Sequence, residues 1–172
     1  MSTLDLRRAT AADRPALERL WLMFSHDLSE YRGILPNPDS TFRSERLAAA
    51  FDDPDRAAYV LMSDEHPIGF AIVRDLSQPV RVLNSFFVVR GARRNGFGLR
   101  AVRDLVAVYP GKWEVAFQPD NVTAVNFWRR AAARLAGDAW TEEHRAVPGR
   151  ADLPPDTWIS FDTRTRRKRI LT

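Results

Sequence analysis

The chain has no cysteine, so it can form no disulfide, offer no thiolate to a metal and use no cysteine nucleophile. Histidine is scarce. His26, His66 and His144 are scattered at no spacing typical of a metal site, so no metal is expected. No apolar run approaches the ~20 residues of a membrane-spanning helix. The opening Met1-Ser2-Thr3-Leu4-Asp5 has neither a basic nor a hydrophobic segment of signal-peptide type. A cytoplasmic location is the expectation. No repeat, low-complexity tract or linker divides the 172 residues, which suits one domain over 1–163 followed by a basic tail over 164–172.

That tail carries much of the formal charge of +4, through Arg164, Arg166, Arg167, Lys168 and Arg169. Such a cluster can touch nucleic acid or anionic lipid. The rest of the chain mixes both signs and holds no standard nucleic-acid motif. A solvated terminus is the reading, with neither nucleic acid nor membrane as a partner.

Alternation at Leu4, Leu6 and Arg8 predicts a short first strand. Thr10 can cap a helix with Asp13 and Pro15 in its early turns, and Leu17, Leu20, Trp21, Phe24 and Leu28 give it one apolar face. Gly33, then Pro36 and Pro38, stop it near His26, Asp27 and Glu30. A shorter helix is predicted over 42–51. Strands over 58–62 and 68–73 flank a turn at Asp64-Glu65-His66-Pro67. The longest strand candidate covers 80–89, and successive apolar residues from Phe86 to Val89 imply burial on both faces. Helix 98–109, strand 113–117 and helix 122–135 follow. Strands near 139–147 and 157–161 close the chain around a loop with Pro148, Pro154 and Pro155. The strand–helix–strand order predicts a parallel pair, from 80–89 and 113–117, within an α/β fold.

Between them lies Arg90-Gly91-Ala92-Arg93-Arg94-Asn95-Gly96-Phe97-Gly98. A strand, a glycine turn and a helix start can bind an anion, because the first helical amides have no intrahelical acceptor. The segment lacks the Gly-Lys-Ser/Thr ending of nucleotide hydrolases and the spacing of the dinucleotide fingerprint. A second strand-to-helix junction carries Asn121, Ala124, Phe127 and Trp128. Two parallel strands would bring both junctions to one sheet end, where ligands of α/β folds collect. One junction could hold phosphates and the other an amide-containing arm.

Arg93-x-x-Gly96-x-Gly98 resembles the pyrophosphate signature of the GNAT superfamily of N-acetyltransferases, and Asn121-x-x-Ala124-x-x-Phe127-Trp128 resembles its second acyl-coenzyme A motif. The order of elements matches that fold across almost the whole chain. His26-Asp27-Leu28-Ser29, Phe86-Phe87-Val88 and Pro110-Gly111-Lys112-Trp113-Glu114-Val115 are also similar to a group of uncharacterised bacterial acetyltransferases. The resemblance implies a mixed sheet of about seven strands splayed between the fourth and fifth, with about four flanking helices. It implies acetyl-coenzyme A, or another short acyl-coenzyme A, as co-substrate. Phe87, Val88, Val89 and Arg90 would lie beside the pantetheine and thioester, with amides of Val88 and Arg90 available there. Arg93, Arg94, Asn95, Gly96, Phe97 and Gly98 would surround the pyrophosphate. Asn121, Ala124, Phe127 and Trp128 would line the cofactor side of the cleft, Phe127 and Trp128 serving equally as core anchors.

The implied reaction is direct attack of an amine on the thioester. An ammonium is no nucleophile, so a group must take its proton. The resemblance implies a carboxylate on the central strand in many family members, and in the similar bacterial group just before Phe-Phe-Val, where this chain has Ser85 after Asn84. Many carry a tyrosine at the position of Trp128, whose indole N–H only donates. Asp27 and Glu30 could recruit a cationic amine or take its proton, His26 offers an imidazole of the type that shuttles protons, and Glu114 could drive a water relay. The acceptor is expected to be a small-molecule amine, with a protein amine and a homodimer as further expectations. The alternative is a non-catalytic acyl-coenzyme A-binding protein. A third is a nucleic-acid module using the tail.

Overall fold

The computed structural model describes residues 3–164. Of the basic tail, Arg166, Arg167, Lys168 and Arg169 lie outside the described residues.

The first strand, β1 (Leu4–Arg8), leads through a short 3-10 turn to α1 (Arg14–Arg32). The Thr10 amide donates to Asp13 Oδ2 at 2.8 Å, and Gly33 ends α1 in the left-handed region at φ 59°. Then come α2 (Glu45–Asp52), β2 (Ala57–Ser63), β3 (His66–Arg74) and β4 (Val80–Val88). After the glycine segment the chain forms α3 (Phe97–Val108), β5 (Lys112–Phe117), α4 (Val122–Ala136), β6 (Trp140–Arg145) and β7 (Asp156–Asp162).

Three boundaries differ from the sequence reading by two residues or more. The second helix starts at Glu45, not at 42. The hairpin turn is only Asp64-Glu65, with Asp64 at φ 53°, so His66 and Pro67 belong to β3. Pro67 lies opposite Met62 beside a register break at Leu61/Met62, where the missing N–H costs little. The sixth strand stops at Arg145, short of the 139–147 span.

The sheet runs β1-β2-β3-β4-β5-β7-β6. Every neighbouring pair is antiparallel except β4–β5. One face carries a core shared with α3 and α4, including Val102, Leu105, Trp113, Trp128 and Ile159. The other, over β2–β4, packs Leu17, Trp21, Phe24 and Leu47 of α1 and α2 on Val60, Phe70, Ile72 and Phe87. Four rings interlock there, with Phe24 edge-on to Phe70 at 5.4 Å between centroids.

Two irregularities position the site. The parallel pairing runs only from Val80↔Lys112 to Leu83↔Val115. Beyond it β4 keeps only β3 and β5 keeps only β7, so the sheet is split between the fourth and fifth strands. The split begins at a bulge. Ile72 pairs with Ser85 but Val73 with Leu83, which leaves Asn84 as the extra residue. Farther along, a Cβ on Gly69 would stand 2.1 Å from the Phe87 carbonyl oxygen, so only glycine lets β3 and β4 approach there.

Candidate functional site

At the C-terminal end of β4 the chain makes a short 3-10 turn, Arg90–Ala92, then passes Arg94 at φ 70° and Gly96 at φ 76° into α3. Gly96 occupies the cap position of α3 and no side chain caps the helix. The Arg100 amide donates to the Gly96 carbonyl at 3.1 Å. Among the described residues, no acceptor takes the amides of Arg94, Asn95, Gly96, Phe97, Gly98 or Leu99. Arg94, Asn95 and Gly96 are exposed, so these donors face solvent. Successive unpaired amides at a helix start form an anion-binding concavity, reinforced by the helix dipole.

The two arginines of this segment differ. Arg94 is exposed on the loop. Arg93 turns away from the amides: its Nε donates to the Val88 carbonyl at 2.7 Å and its Nη2 to Asp27 Oδ2 at 2.7 Å. Arg90 Nη2 reaches the other oxygen, Asp27 Oδ1, at 3.0 Å. Burial pushes the Asp27 carboxyl up, but the hydrogen bonds from Arg93 and Arg90 outweigh it and hold the group below the usual carboxylate range. Asp27 thus ties α1 to the loop. His26 is exposed, with Nδ1 4.0 Å from Asp27 Oδ1, and Glu30 is exposed beside it.

The split supplies the second half of the site. The Val89 amide donates to Ile68 of β3 at 2.8 Å. Alternation along a strand therefore turns the Val88 amide to the opposite edge, where β5 no longer pairs. Across the opening, Asn121 caps α4 by accepting the Ala124 amide at 3.0 Å through Oδ1. Its Nδ2 has no partner among the described residues. Phe127 stacks on Phe86 at 5.8 Å, and Trp128 meets Phe127 edge-on at 4.8 Å. Trp128 is buried in the core shared with α3. Gly98 fits below Phe127: a Cβ there would lie 3.1 Å from the ring, so this glycine lets the two helix starts meet.

The sheet face under the opening is rich in ion pairs. Glu114 of β5 accepts from Arg145 Nη1 and Nη2 at 3.0 and 2.9 Å and from Ser160 Oγ at 3.0 Å. The Arg145 bonds, opposed by burial and helped by Ser160, hold its carboxyl below the usual range. Arg145 also lies over the Trp158 ring at 4.6 Å and pairs with Glu143. Arg32, at the end of α1, pairs with Asp156 at the start of β7. Burial raises the Asp156 carboxyl despite the Arg32 guanidinium. From α2, Arg46 Nη1 donates to the Asn84 carbonyl at 3.3 Å and to Ser85 Oγ at 3.2 Å.

The structure therefore gathers 87–98 and Asn121, Ala124, Phe127 and Trp128 around one end of the split. Asp27 and Glu30 stand on the α1 rim, while Glu114 lies farther down β5 under an arginine clamp. Arg46, Asp156, Arg145 and Ser160 were not singled out in the sequence. Glu114 and the polar pair Asn84-Ser85 inside an apolar strand marked their neighbourhood. Among the described residues, no group of three or more His, Cys, Asp or Glu could hold a metal ion, and no helix is long and apolar enough to cross a membrane.

A split parallel pair with an uncapped helix start at its mouth characterises this α/β domain. Residues 18–132 match the Acetyltransferase (GNAT) family, and the chain belongs to it. No curated protein matches it in sequence. Solved structures share the fold at low identity. An acetyltransferase from Thermus thermophilus is 18% identical, with 93% of this chain and 97% of that one covered and a TM-score of 0.64. The aminoglycoside acetyltransferase AAC(6')-Ib in complex with coenzyme A is 19% identical, with 97% and 99% covered and a TM-score of 0.68. The spermidine N-acetyltransferase from Vibrio cholerae in complex with CoA and spermine is 13% identical, with 94% and 96% covered and a TM-score of 0.67.

Proposed function

We propose that this protein is an acyl-coenzyme A-dependent N-acyltransferase that moves acetyl from acetyl-coenzyme A to a primary amine by direct attack. The observation that carries this reading is the run of unpartnered amides from Arg94 to Leu99 at the mouth of the split. The donor set fits a diphosphate, since it is made of backbone N–H groups and a helix start with room around Gly96. Arg94, Asn95, Gly96, Phe97 and Gly98 would hold the pyrophosphate, and Arg93 would hold the loop through Asp27. Phe87, Val88, Val89 and Arg90 on one side and Asn121, Ala124, Phe127 and Trp128 on the other would hold the arm.

The bound co-substrate supplies an acetyl group activated as a thioester. The Val88 amide, turned to the unpaired edge, is placed to donate to an oxygen gaining negative charge. The proton of the amine needs an acceptor. Asp27 and Glu114 each carry arginine partners that keep them ionised and weakly basic, so we assign them to positioning. Asp156 also has an arginine partner, Arg32, but burial outweighs it and raises the carboxyl, so Asp156 is the proposed proton acceptor, with Glu30 and His26 on the rim as the other candidates. Activity should therefore rise with pH as this group loses its proton.

AAC(6')-Ib and the spermidine enzyme, by their names, act on small amines. A small-molecule amine is the proposed acceptor, a protein amine the second, and a homodimer in the cytoplasm the proposed assembly. We further propose, on the His26-Asp27-Leu28-Ser29 motif alone, that the chain groups with the uncharacterised bacterial acetyltransferases. The second reading, a non-catalytic acyl-coenzyme A binder, is favoured by the arginine clamps on Asp27 and Glu114. Thiol release on mixing the protein with acetyl-coenzyme A and a panel of amines separates them. Amine-dependent release supports transfer, and binding without release supports the second reading.

A further inference from the structure

We propose that Arg46 receives a carboxylate of the acceptor, so that the acceptor is an amine that also bears an acid group: a free amino acid or the C-terminal end of a peptide. The inference rests on the acyltransferase reading above and names the substrate class of the same site.

Arg46 stands in the first turn of α2, on the helix layer that covers β2 and β3. Its Nη1 reaches Asn84 and Ser85, the two residues that follow Leu83. Leu83 is the last residue of β4 to pair with β5. The guanidinium is therefore anchored at the root of the split. Its Nε and Nη2 have no partner among the described residues, and no carboxylate there lies within ion-pair distance. Every other arginine around it is neutralised: Arg32 by Asp156, Arg56 by Asp53, Arg74 by Asp75, and Arg145 by Glu114 and Glu143. An arginine anchored through one nitrogen keeps the rest of a planar fork, whose geometry matches a carboxylate.

Arg74 and Arg56 act on Arg46 with like charge and Asp156 opposes them, so with those neighbours paired Arg46 is left as the uncompensated cation. On the rim of α1, Arg90 and Arg93 already neutralise Asp27, which leaves Glu30 as its exposed carboxylate. A purely structural arginine would need only its bonds to β4, and the following test separates the two roles.

The full chain, saturated with coenzyme A, is titrated calorimetrically with matched ligands: small amino acids and dipeptides, their C-terminal amides, and a polyamine. The wild type should bind the carboxylates at least about tenfold tighter than the amides, as expected of a charge-assisted fork. Arg46→Gln should remove that preference, Arg46→Lys should restore part of it, and both should keep coenzyme A affinity. Free amino acids and dipeptides distinguish the two sources of the acid group. Equal affinity for acids and amides in the wild type, a preference for the polyamine, or an unchanged preference in Arg46→Gln would overturn the assignment. Should Arg46→Gln fail to fold, the wild-type comparison and Arg46→Lys still decide. Carboxylate binding that depends on Arg46 without thiol release from any amine would sink the acyltransferase reading, and with it the ligand's role as acceptor, while leaving the carboxylate site at Arg46. Thiol release with no discrimination between acid and amide would do the reverse.

Discussion

Two strand-to-helix junctions open at the same end of the sheet, and they treat their helix starts in opposite ways. At α4 the cap is filled: Asn121 Oδ1 accepts the Ala124 amide and the Asn121 carbonyl accepts the Val125 amide at 2.9 Å. At α3 the cap is Gly96, which has no side chain to offer, and the amides on both sides of it stay unpaired. A filled cap stabilises a helix by ~1 kcal/mol. Withholding it leaves a site where an external anion can do the same work. The α3 junction thus forgoes the local stability that a filled cap gives the α4 junction, which also anchors Phe127 and Trp128.

Filling the empty cap should erase this contrast most completely. Gly96→Asp puts a carboxylate beside the free amides in a conformation aspartate tolerates. It should weaken acetyl-coenzyme A binding by about a hundredfold while leaving the melting temperature near the wild-type value. Asp27→Asn removes the charge that holds Arg90 and Arg93. It should cost about 1–2 kcal/mol in stability, measured by urea unfolding at pH 7. The sign in pH follows from a carboxyl held below its usual range. Its stabilisation is present above the unfolded-state value of about 4 and is lost as pH falls through the lower folded-state value, so the two proteins should converge in acid. Asn121→Ala empties the filled cap and should cost about 1 kcal/mol, with acetyl-coenzyme A affinity changed by no more than about threefold. Gly98→Ala loads the contact between the two junctions. Its methyl must push the Phe127 ring by a few tenths of an ångström, for a loss of about 0.5–1 kcal/mol in urea unfolding.

Much of this architecture was legible because it is local. The apolar spacing of Leu17, Leu20, Trp21 and Phe24 marked α1, the run over 80–89 marked β4, and the glycine segment marked the turn that leads into α3. The insertion of β7 between β5 and β6 was not legible, since no local pattern in a strand names its neighbour. The charged partners were hidden for the same reason. Asp27 is 63 residues from Arg90, and Arg46 is 39 from Ser85. Polar residues at such separations carry no periodicity, and only folding shows which carboxylates are clamped. Asp27 and Glu114, read from the chain as free acids, are held by arginines. Asp156 had no motif to mark it.

If the uncapped amides at α3 bind a diphosphate, a ligand without one should lose most of its affinity. Calorimetric titration of the wild type with acetyl-coenzyme A and with S-acetylpantetheine, which shares the acyl arm but lacks the pyrophosphate, measures that loss. Acetyl-coenzyme A should bind about a hundredfold tighter, and Gly96→Asp should abolish the difference. Equal affinity for the two ligands in the wild type would contradict diphosphate binding at α3.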